Sequence, residues 1–375
     1  MASLQFLSLR SHRPPRRIIA NLIVLCNSSV SFHLDRFYMG TDQQEVACTT
    51  NSNGCIYRML FDDKQCQVAA AKALLSIYLI ESKELEIGEC VGQGSSGEVH
   101  KGFYKGQDVA VKVVKGTMST SHNIEFRSKS DSDFPSDESE GEVFRTSIEG
   151  QFRREVLSLI SCPHKNILKI YGVCLSPQLG ICIVTKFMRG GTLLHYLQQR
   201  TTGFRLSEIL KLAKDVAKGM EYLHSRGIIH MDLKTANVFL DEEGIAVIGD
   251  LGVARLVNEE GEGREIGSYR WMAPEVGGVE SGRGVGSGFS YKSDVYSYGI
   301  LLWELVTCMI PFSDYSPLQA AVGVVMHGLR PPIPSACFPP LRYLIQKCWD
   351  QNPTARPHFS HILGMLNIIS QQEWS

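Results

Sequence analysis

The sequence predicts an α+β fold of two lobes, a small, mainly antiparallel β lobe followed by a larger, mainly helical one. Three observations predict it. Short β-type runs punctuated by glycine fill residues 85–114, and helical apolar patterns dominate from residue 151 onward. Strands first and helices after give a segregated layout rather than alternating βαβ units. A length of 375 residues at 43% hydrophobic and 21% charged supplies the core for one large domain or two ordinary ones.

In chain order, residues 1–84 form a variable N-terminal region. Arg10, Arg13, Arg16 and Arg17 precede the first acid, Asp35. That is the composition of an organelle transit peptide or a weak secretory signal, and equally of a disordered basic tail. Within 35–84 one helix is expected at 68–80 (VAAAKALLSIYLI) and no motif is found. Strands are expected at 85–87, 99–104 and 108–114. An insertion at 115–148 follows. Its stretch 128–142 has five serines and six acids with almost nothing to bury, so a disordered loop is expected. Phe152, Val156, Leu157, Leu159 and Ile160 mark one helix face, 206–223 another, and 295–306 a core helix. Six glycines in 277–288 read as a flexible loop.

Composition excludes several functions. Lys+Arg 38 against Asp+Glu 39 leaves a net charge of −1, no basis for a nucleic-acid partner. The apolar runs 18–26 and 300–306 fall short of the ~20 residues a membrane span needs, and the second carries Glu304. No transmembrane segment is expected. Eleven cysteines without a C-x-x-C pair read as reduced thiols of an intracellular protein. A cytoplasmic location follows, with organelle targeting by residues 1–34 as the alternative.

The chemistry-bearing residues begin with Gly92-Gln93-Gly94-Ser95-Ser96-Gly97, a G-x-G-x-x-G loop whose backbone can approach phosphate oxygens closely. A strand-like segment follows it, which disfavours a dinucleotide-binding Rossmann reading. Lys112 stands alone in the apolar strand VAVKVV, placed to meet nucleotide phosphates, and Glu155 on the helix at 152–160 is its candidate carboxylate. In IIHMDLKTANVFL, Asp232, Lys234 and Asn237 share a short loop between apolar strands. A carboxylate there can take a hydroxyl proton, an ammonium can neutralise a phosphoryl group, and an amide oxygen can bind Mg²⁺. Asp250, in Asp-Leu-Gly after another apolar strand, adds an oxygen ligand.

Taken in order, the glycine loop, V-A-V-K, helix glutamate, H-x-D-L-K-x-x-N, D-x-G, Ala273-Pro274-Glu275, Asp294 and Arg356 resemble the eukaryotic protein kinases over about residues 85–368. The resemblance implies the bilobal protein-kinase fold, with an N-lobe at about 85–186 and a C-lobe at about 187–368. It implies transfer of the ATP γ-phosphate to Ser/Thr of protein substrates, with Mg²⁺ (or Mn²⁺) as cofactor and tyrosine open as a further acceptor. Lys112 and Glu155 look like the nucleotide-anchoring ion pair, Asp232 the catalytic carboxylate, Lys234 the γ-phosphate partner, and Asn237 and Asp250 the metal ligands. Gly92, Gly94, Gly97, Val99, Ala110, Lys186, Met188 and Phe239 fall at nucleotide-binding positions, with Thr185 as gatekeeper. Asp294 resembles the brace of the catalytic loop, and Arg356 the buried partner of Glu275. Lys234-Thr235 is serine/threonine-like while the Gly267–Met272 stretch is tyrosine-kinase-like. That mixture is similar to the plant Raf-like (tyrosine-kinase-like group) serine/threonine kinases. Residues 1–84 show no ligand-sensing ACT domain of the kind some of that group carry.

The chain departs from the pattern in four places. Met231 replaces the arginine that binds an activation-segment phosphate, and from Asp250 to Glu275 the only hydroxyls are Ser268 and Tyr269. Their joint absence predicts a kinase that needs no phosphate there. Leu251 stands where phenylalanine is commoner. Phe239 stands where leucine usually packs on adenine, with overpacking as the expected risk. The insertion stretches the Lys112–Glu155 separation to 43 residues, and its serines are candidate acceptors for upstream kinases. The competing function is a catalytically impaired nucleotide-binding scaffold (a pseudokinase).

Overall fold

A computed structural model describes residues 23–26, 29–32, 78–94, 97–114, 163–176, 179–200, 203–251, 255–256, 268–277 and 288–372. Glu155, its helix, the acidic serine tract, most of the 277–288 loop and residues 68–77 lie outside the described residues. The chain divides into two units, Met1–Ile77 and Tyr78–Ser375. In the first, β1 (Ile23–Cys26) and β2 (Ser29–Phe32) pair antiparallel, Cys26 opposite Ser29. The sequence reading anticipates no structure there.

The second unit opens on a six-stranded sheet. Its strands are β3 (Leu79–Ile80), β4 (Leu85–Gly94), β5 (Gly97–Tyr104), β6 (Gln107–Val114), β7 (Ile170–Ser176) and β8 (Gly180–Lys186), in the spatial order β3-β7-β8-β6-β5-β4. Every pairing is antiparallel except β3 with β7. The helix expected at 68–80 is therefore corrected at its end: Leu79 and Ile80 extend along β7, and Ile80 is buried in the small core. An apolar run of this length does not distinguish helix from buried strand by periodicity alone. Leu85, Tyr104, Val109, Val111, Val113, Cys174, Cys182 and Val184 fill the rest of that core, with residues alternating along the central strands. Cys90, Cys174, Cys182, Cys308, Cys337 and Cys348 are free, including the facing pair Cys174 and Cys182. Burial, with Cys174 adding to it, pushes the Cys182 thiol up to about 12.

Helices follow: α1 (Leu193–Gln198) and α2 (Leu206–Ser225), then, past the catalytic segment, α3 (Pro274–Gly277), α4 (Tyr291–Thr307), α5 (Pro317–His327), α6 (Pro339–Cys348) and α7 (Phe359–Gln372). The amphipathic α2 turns Ile209, Leu210, Ala213, Val216, Ala217, Met220 and Leu223 inward. Helix α4 is buried on nearly all sides from Ser293 to Leu305. Its entry is fixed by a reciprocal cap, the Ser293 hydroxyl accepting from Ser290 N–H at 2.9 Å and the Ser290 hydroxyl from Lys292 N–H at 3.2 Å. Between α2 and α4 run four short strands, β9 (Ile228–Ile229), β10 (Val238–Leu240), β11 (Ala246–Ile248) and β12 (Arg255–Leu256). β10 pairs with β11 and β12 with β9. The mainly antiparallel N-lobe and helical C-lobe make the expected bilobal α+β fold.

Candidate active site

The loop between β9 and β10 carries His230, Asp232, Lys234 and Asn237, and α4 holds it from beneath. Asp294, 1% exposed, accepts the backbone N–H of His230 at 2.8 Å and of Met231 at 2.9 Å. It also lies 2.8 Å from His224 Nε2. The brace keeps Met231 at φ 69°, a left-handed backbone that costs a non-glycine residue roughly 1–2 kcal/mol. His230 is fully buried. Asp232 N–H donates to its Nδ1 at 3.2 Å, so the ring proton sits on Nε2, 3.2 Å from the Gly249 carbonyl. One imidazole thus ties the catalytic loop to the segment leading into Asp250.

Asp232 is partly exposed and one-sidedly satisfied. Its Oδ2 accepts from Lys234 Nζ and from Asn237 Nδ2, both at 2.8 Å. Its Oδ1 accepts from no described group. Lys234 Nζ also donates to Ser268 Oγ at 2.5 Å, binding the loop to the end of the segment before Ala273. Asn237 Nδ2 donates a second time, to the Asp232 carbonyl at 2.8 Å, which leaves its Oδ1 as the free acceptor. Gly249 N–H donates to the Asn237 carbonyl at 2.9 Å, bringing Asn237 beside Asp250. An amide oxygen and a carboxylate, both hard oxygen donors, fit a Mg²⁺-type ion.

Asp250 joins the two lobes, its Oδ1 2.8 Å from Lys112 Nζ. Burial pushes its pKa up. The Lys112 charge and hydrogen bond, with His230 and Lys234, outweigh that and hold the carboxyl below its ordinary range. Strand register forms the roof: Lys112 lies opposite Val99, and Ala110 opposite Thr185, so these four share one face. In the nucleotide loop Gly92 pairs with Val99, and Gly94 with Gly97. Gly97 has φ 138°, and a Cβ there would lie 2.2 Å from the Val113 carbonyl, so only glycine fits. Past Lys186, the Met188 N–H takes no partner among the described residues, and its carbonyl accepts from Gly191 N–H at 3.0 Å. The cleft floor is Leu168, Met188 and Val247 with Phe239 against them.

Hydrogen bonds thus bring Lys112, Asp232, Lys234, Asn237 and Asp250 together, and register sets Val99, Ala110 and Thr185 on the face of Lys112. Lys186 alternates to the other face and is exposed, and Glu155 lies outside the described residues. Arg356, 1% exposed, grips Glu275 with both terminal nitrogens at 2.6 and 2.8 Å. Sequence reasoning missed Glu304. Fully buried in α4, it accepts from the Thr235 hydroxyl at 2.7 Å, Thr235 N–H at 3.4 Å and Trp271 Nε1 at 2.8 Å. Burial drives its carboxyl up to about 7, against the pull of the Thr235 and Trp271 hydrogen bonds and of Lys234. Its signal in the sequence was a lone acid inside an apolar helix, a residue type almost never buried without partners. His224, 70 residues from its partner Asp294, gave no signal.

A glycine loop and a strand lysine, facing across the cleft an Asp/Lys/Asn loop with a second Asp beside it, define a phosphotransferase domain of the kinase type. The family model for protein tyrosine and serine/threonine kinases matches residues 143–366, and the chain belongs to the protein kinase family. Among its relatives, the Arabidopsis thaliana serine/threonine-protein kinase STY17 is 41% identical over 295 residues, 78% of this chain and 46% of that protein. The Arabidopsis thaliana serine/threonine/tyrosine-protein kinase HT1 is 36% identical over 362 residues, 96% of this chain and 84% of the relative. The mouse serine/threonine-protein kinase TNNI3K is 35% identical over 298 residues, 78% and 32% of the two chains. The chain spans under half the length of STY17. The expected placement among plant Raf-like serine/threonine kinases stands. The family uses ATP and a divalent metal. Among the described residues no helix is long and apolar enough to cross a membrane.

Proposed function

We propose that the protein transfers the γ-phosphate of ATP to serine or threonine hydroxyls of protein substrates, with Mg²⁺ held by Asn237 Oδ1 and Asp250. The observation that carries this reading is the one-sided satisfaction of Asp232, with Oδ2 locked by Lys234 and Asn237 and Oδ1 free. Asp232 Oδ1 accepts the hydroxyl proton as the substrate oxygen attacks phosphorus, and ADP leaves. Lys234 neutralises charge on the moving phosphoryl group, and Lys112 orients the α- and β-phosphates. When bound, Mg²⁺ would neutralise charge on phosphate oxygens.

Lys112, Asp232, Asn237 and Asp250 are all present and brought together, which disfavours the impaired-scaffold reading. A cytoplasmic location belongs to the same proposal and rests on the free thiols. The test is Mg²⁺-dependent phosphate transfer from ATP to a generic protein substrate, beside Asp232→Asn. The variant is expected to lose at least a hundredfold in kcat, the lower range for general-base loss, while still binding ATP. Equal rates in parent and variant would refute the assignment. Because Met231 stands in the arginine position, phosphatase-treated protein is expected to keep its transfer rate. Inactivity after dephosphorylation, restored by phosphate on Ser268, would defeat that part.

A further inference from the structure

On the face of the β4–β5 hairpin turned away from the cleft lies a second cluster of ligating side chains, unused in phosphoryl transfer. Register explains how it arises. Gln93 pairs with Glu98 and Gly92 with Val99, so unbroken alternation would set Val91 opposite His100. A register shift between Cys90 and Gly92 instead sets Cys90 opposite His100 and leaves Val91 extra and exposed. Re-aiming a side chain is what a β-bulge does. Cys90, Glu98 and His100 thereby share the face opposite Val99 and Lys112. Their thiol, carboxylate and imidazole ligand atoms lie within 4.8 Å of one another.

The polar partners of these groups leave the right atoms free. His100 Nδ1 lies 3.2 Å from the Gly88 carbonyl, which makes it the donor and leaves a lone pair on Nε2. That is how metal-binding imidazoles are oriented. His100 Nε2 is buried without a hydrogen-bond partner. The nearest carboxylate oxygen, Glu98 Oε2, is 3.6 Å away, beyond hydrogen-bond reach. Glu98 Oε1 is occupied by Gln93 Nε2 at 3.0 Å, so Oε2 is the one left facing the imidazole. The Cys90 thiol donates to the Gly92 carbonyl at 3.4 Å and is exposed, giving an ion access from solvent.

We propose that Cys90, Glu98 and His100 form a three-ligand site for a thiophilic divalent cation, Zn²⁺ by its S, N, O donor set, on the outer face of the nucleotide-loop hairpin. Water completes the tetrahedron. Bonds of about 2.0–2.3 Å put tetrahedral ligand atoms roughly 3.3–3.8 Å apart; His100 Nε2 and Glu98 Oε2, 3.6 Å apart, already fit, and separations up to 4.8 Å close by about 1 Å. On binding, the Cys90 S–H bond breaks, the proton passes to solvent and the sulfur lone pair binds the metal, with no change of oxidation state. Gly92, the first glycine of the loop, then loses its thiol donor, and the ion cross-links the two strands that carry the loop. Mg²⁺ prefers oxygen ligands and does not compete.

The test is a Co²⁺ titration of the full reduced chain with Mg²⁺ present throughout, read by thiolate-to-cobalt charge-transfer absorption. The parent is expected to show a band, displaced by Zn²⁺, of which Cys90→Ser loses one equivalent. His100→Gln and Glu98→Gln are expected to weaken that equivalent tenfold or more, with all three variants melting like the parent in the absence of cobalt. A spectrum unchanged by Cys90→Ser, no band in the parent, or a His100→Gln chain that binds cobalt as tightly as the parent overturns the proposal.

Discussion

The catalytic loop and the nucleotide roof meet at the Lys112–Asp250 pair, yet they are held in different ways. Beneath the loop, α4 supplies two buried carboxylates. Asp294 takes two successive backbone N–H groups and faces His224, and Glu304 takes Thr235 and Trp271. Several hydrogen bonds to one carboxylate away from water leave little freedom. Among the described residues the roof has no buried carboxylate of this kind. Register decides that Val99, Ala110, Lys112 and Thr185 face the cleft, and the lysine reaches its partner from the other lobe. On the proposed function, the half that would handle the proton is preorganised, whereas the half that would take the nucleotide can adjust to its ligand.

Breaking the brace is the sharpest way to test that contrast. Asp294→Ala strands two backbone donors in the interior, and about 3–5 kcal/mol of stability is expected to go, as when one partner of a buried charged group is removed. Asp294→Asn keeps the shape, so the folded variant isolates the brace. Its kcat is expected to fall at least tenfold with the KM for ATP nearly unchanged, measured by steady-state kinetics beside urea unfolding. A kcat equal to the parent's would mean that the loop holds its shape without α4.

Glu304 gives the next effect, and it is pH-dependent. Its carboxyl, raised to about 7 from 4.5, keeps its proton in the folded protein over a range where the unfolded chain has lost it. The contribution is therefore fully present below about 4.5 and lost as pH rises to about 7. The difference in unfolding free energy between parent and Glu304→Gln is expected to fall by on the order of 3 kcal/mol across that window. Parallel pH profiles for the two proteins would show that Glu304 titrates as an ordinary surface glutamate.

These two carboxylates also mark where the sequence stops being legible. Asp232, Lys234 and Asn237 could be read because their chemistry is crowded into six consecutive positions between apolar strands. Glycines and alternation made β4 to β6 readable in the same local way. Asp294 and Glu304 act on the loop from more than sixty residues away, and no local pattern encodes such a contact. Asp294 was assigned through family resemblance, while Glu304 showed only as an acid in an apolar helix. Leu79 and Ile80 were misread because their strand identity comes from a partner, β7, that follows much later in the chain. The thiol–imidazole–carboxylate face was hidden for a related reason: register shifts on both sides of Cys90, between Ile87 and Cys90 and between Cys90 and Gly92, decide which way it points.

The floor of the cleft tests the adjustable half on a smaller scale. Phe239, the ring expected to crowd the adenine site, fits because the residue beneath it has no side chain. A Cβ on Gly249 would sit 2.7 Å from Phe239 Cε2 and 3.1 Å from Leu168 Cδ2. Gly249→Ala must therefore push the ring toward the nucleotide or spread the floor, an overpacking cost of about 1–3 kcal/mol. A raised KM for ATP is expected with kcat largely kept, since the Asp294 brace is untouched. Adding Phe239→Leu shortens the opposing side chain and is expected to restore most of the affinity, with a coupling of about 0.5–3 kcal/mol between neighbours in contact. If the alanine leaves KM unchanged, or the leucine fails to rescue it, the ring does not rest on Gly249 and the floor is not where this site accommodates its larger residue.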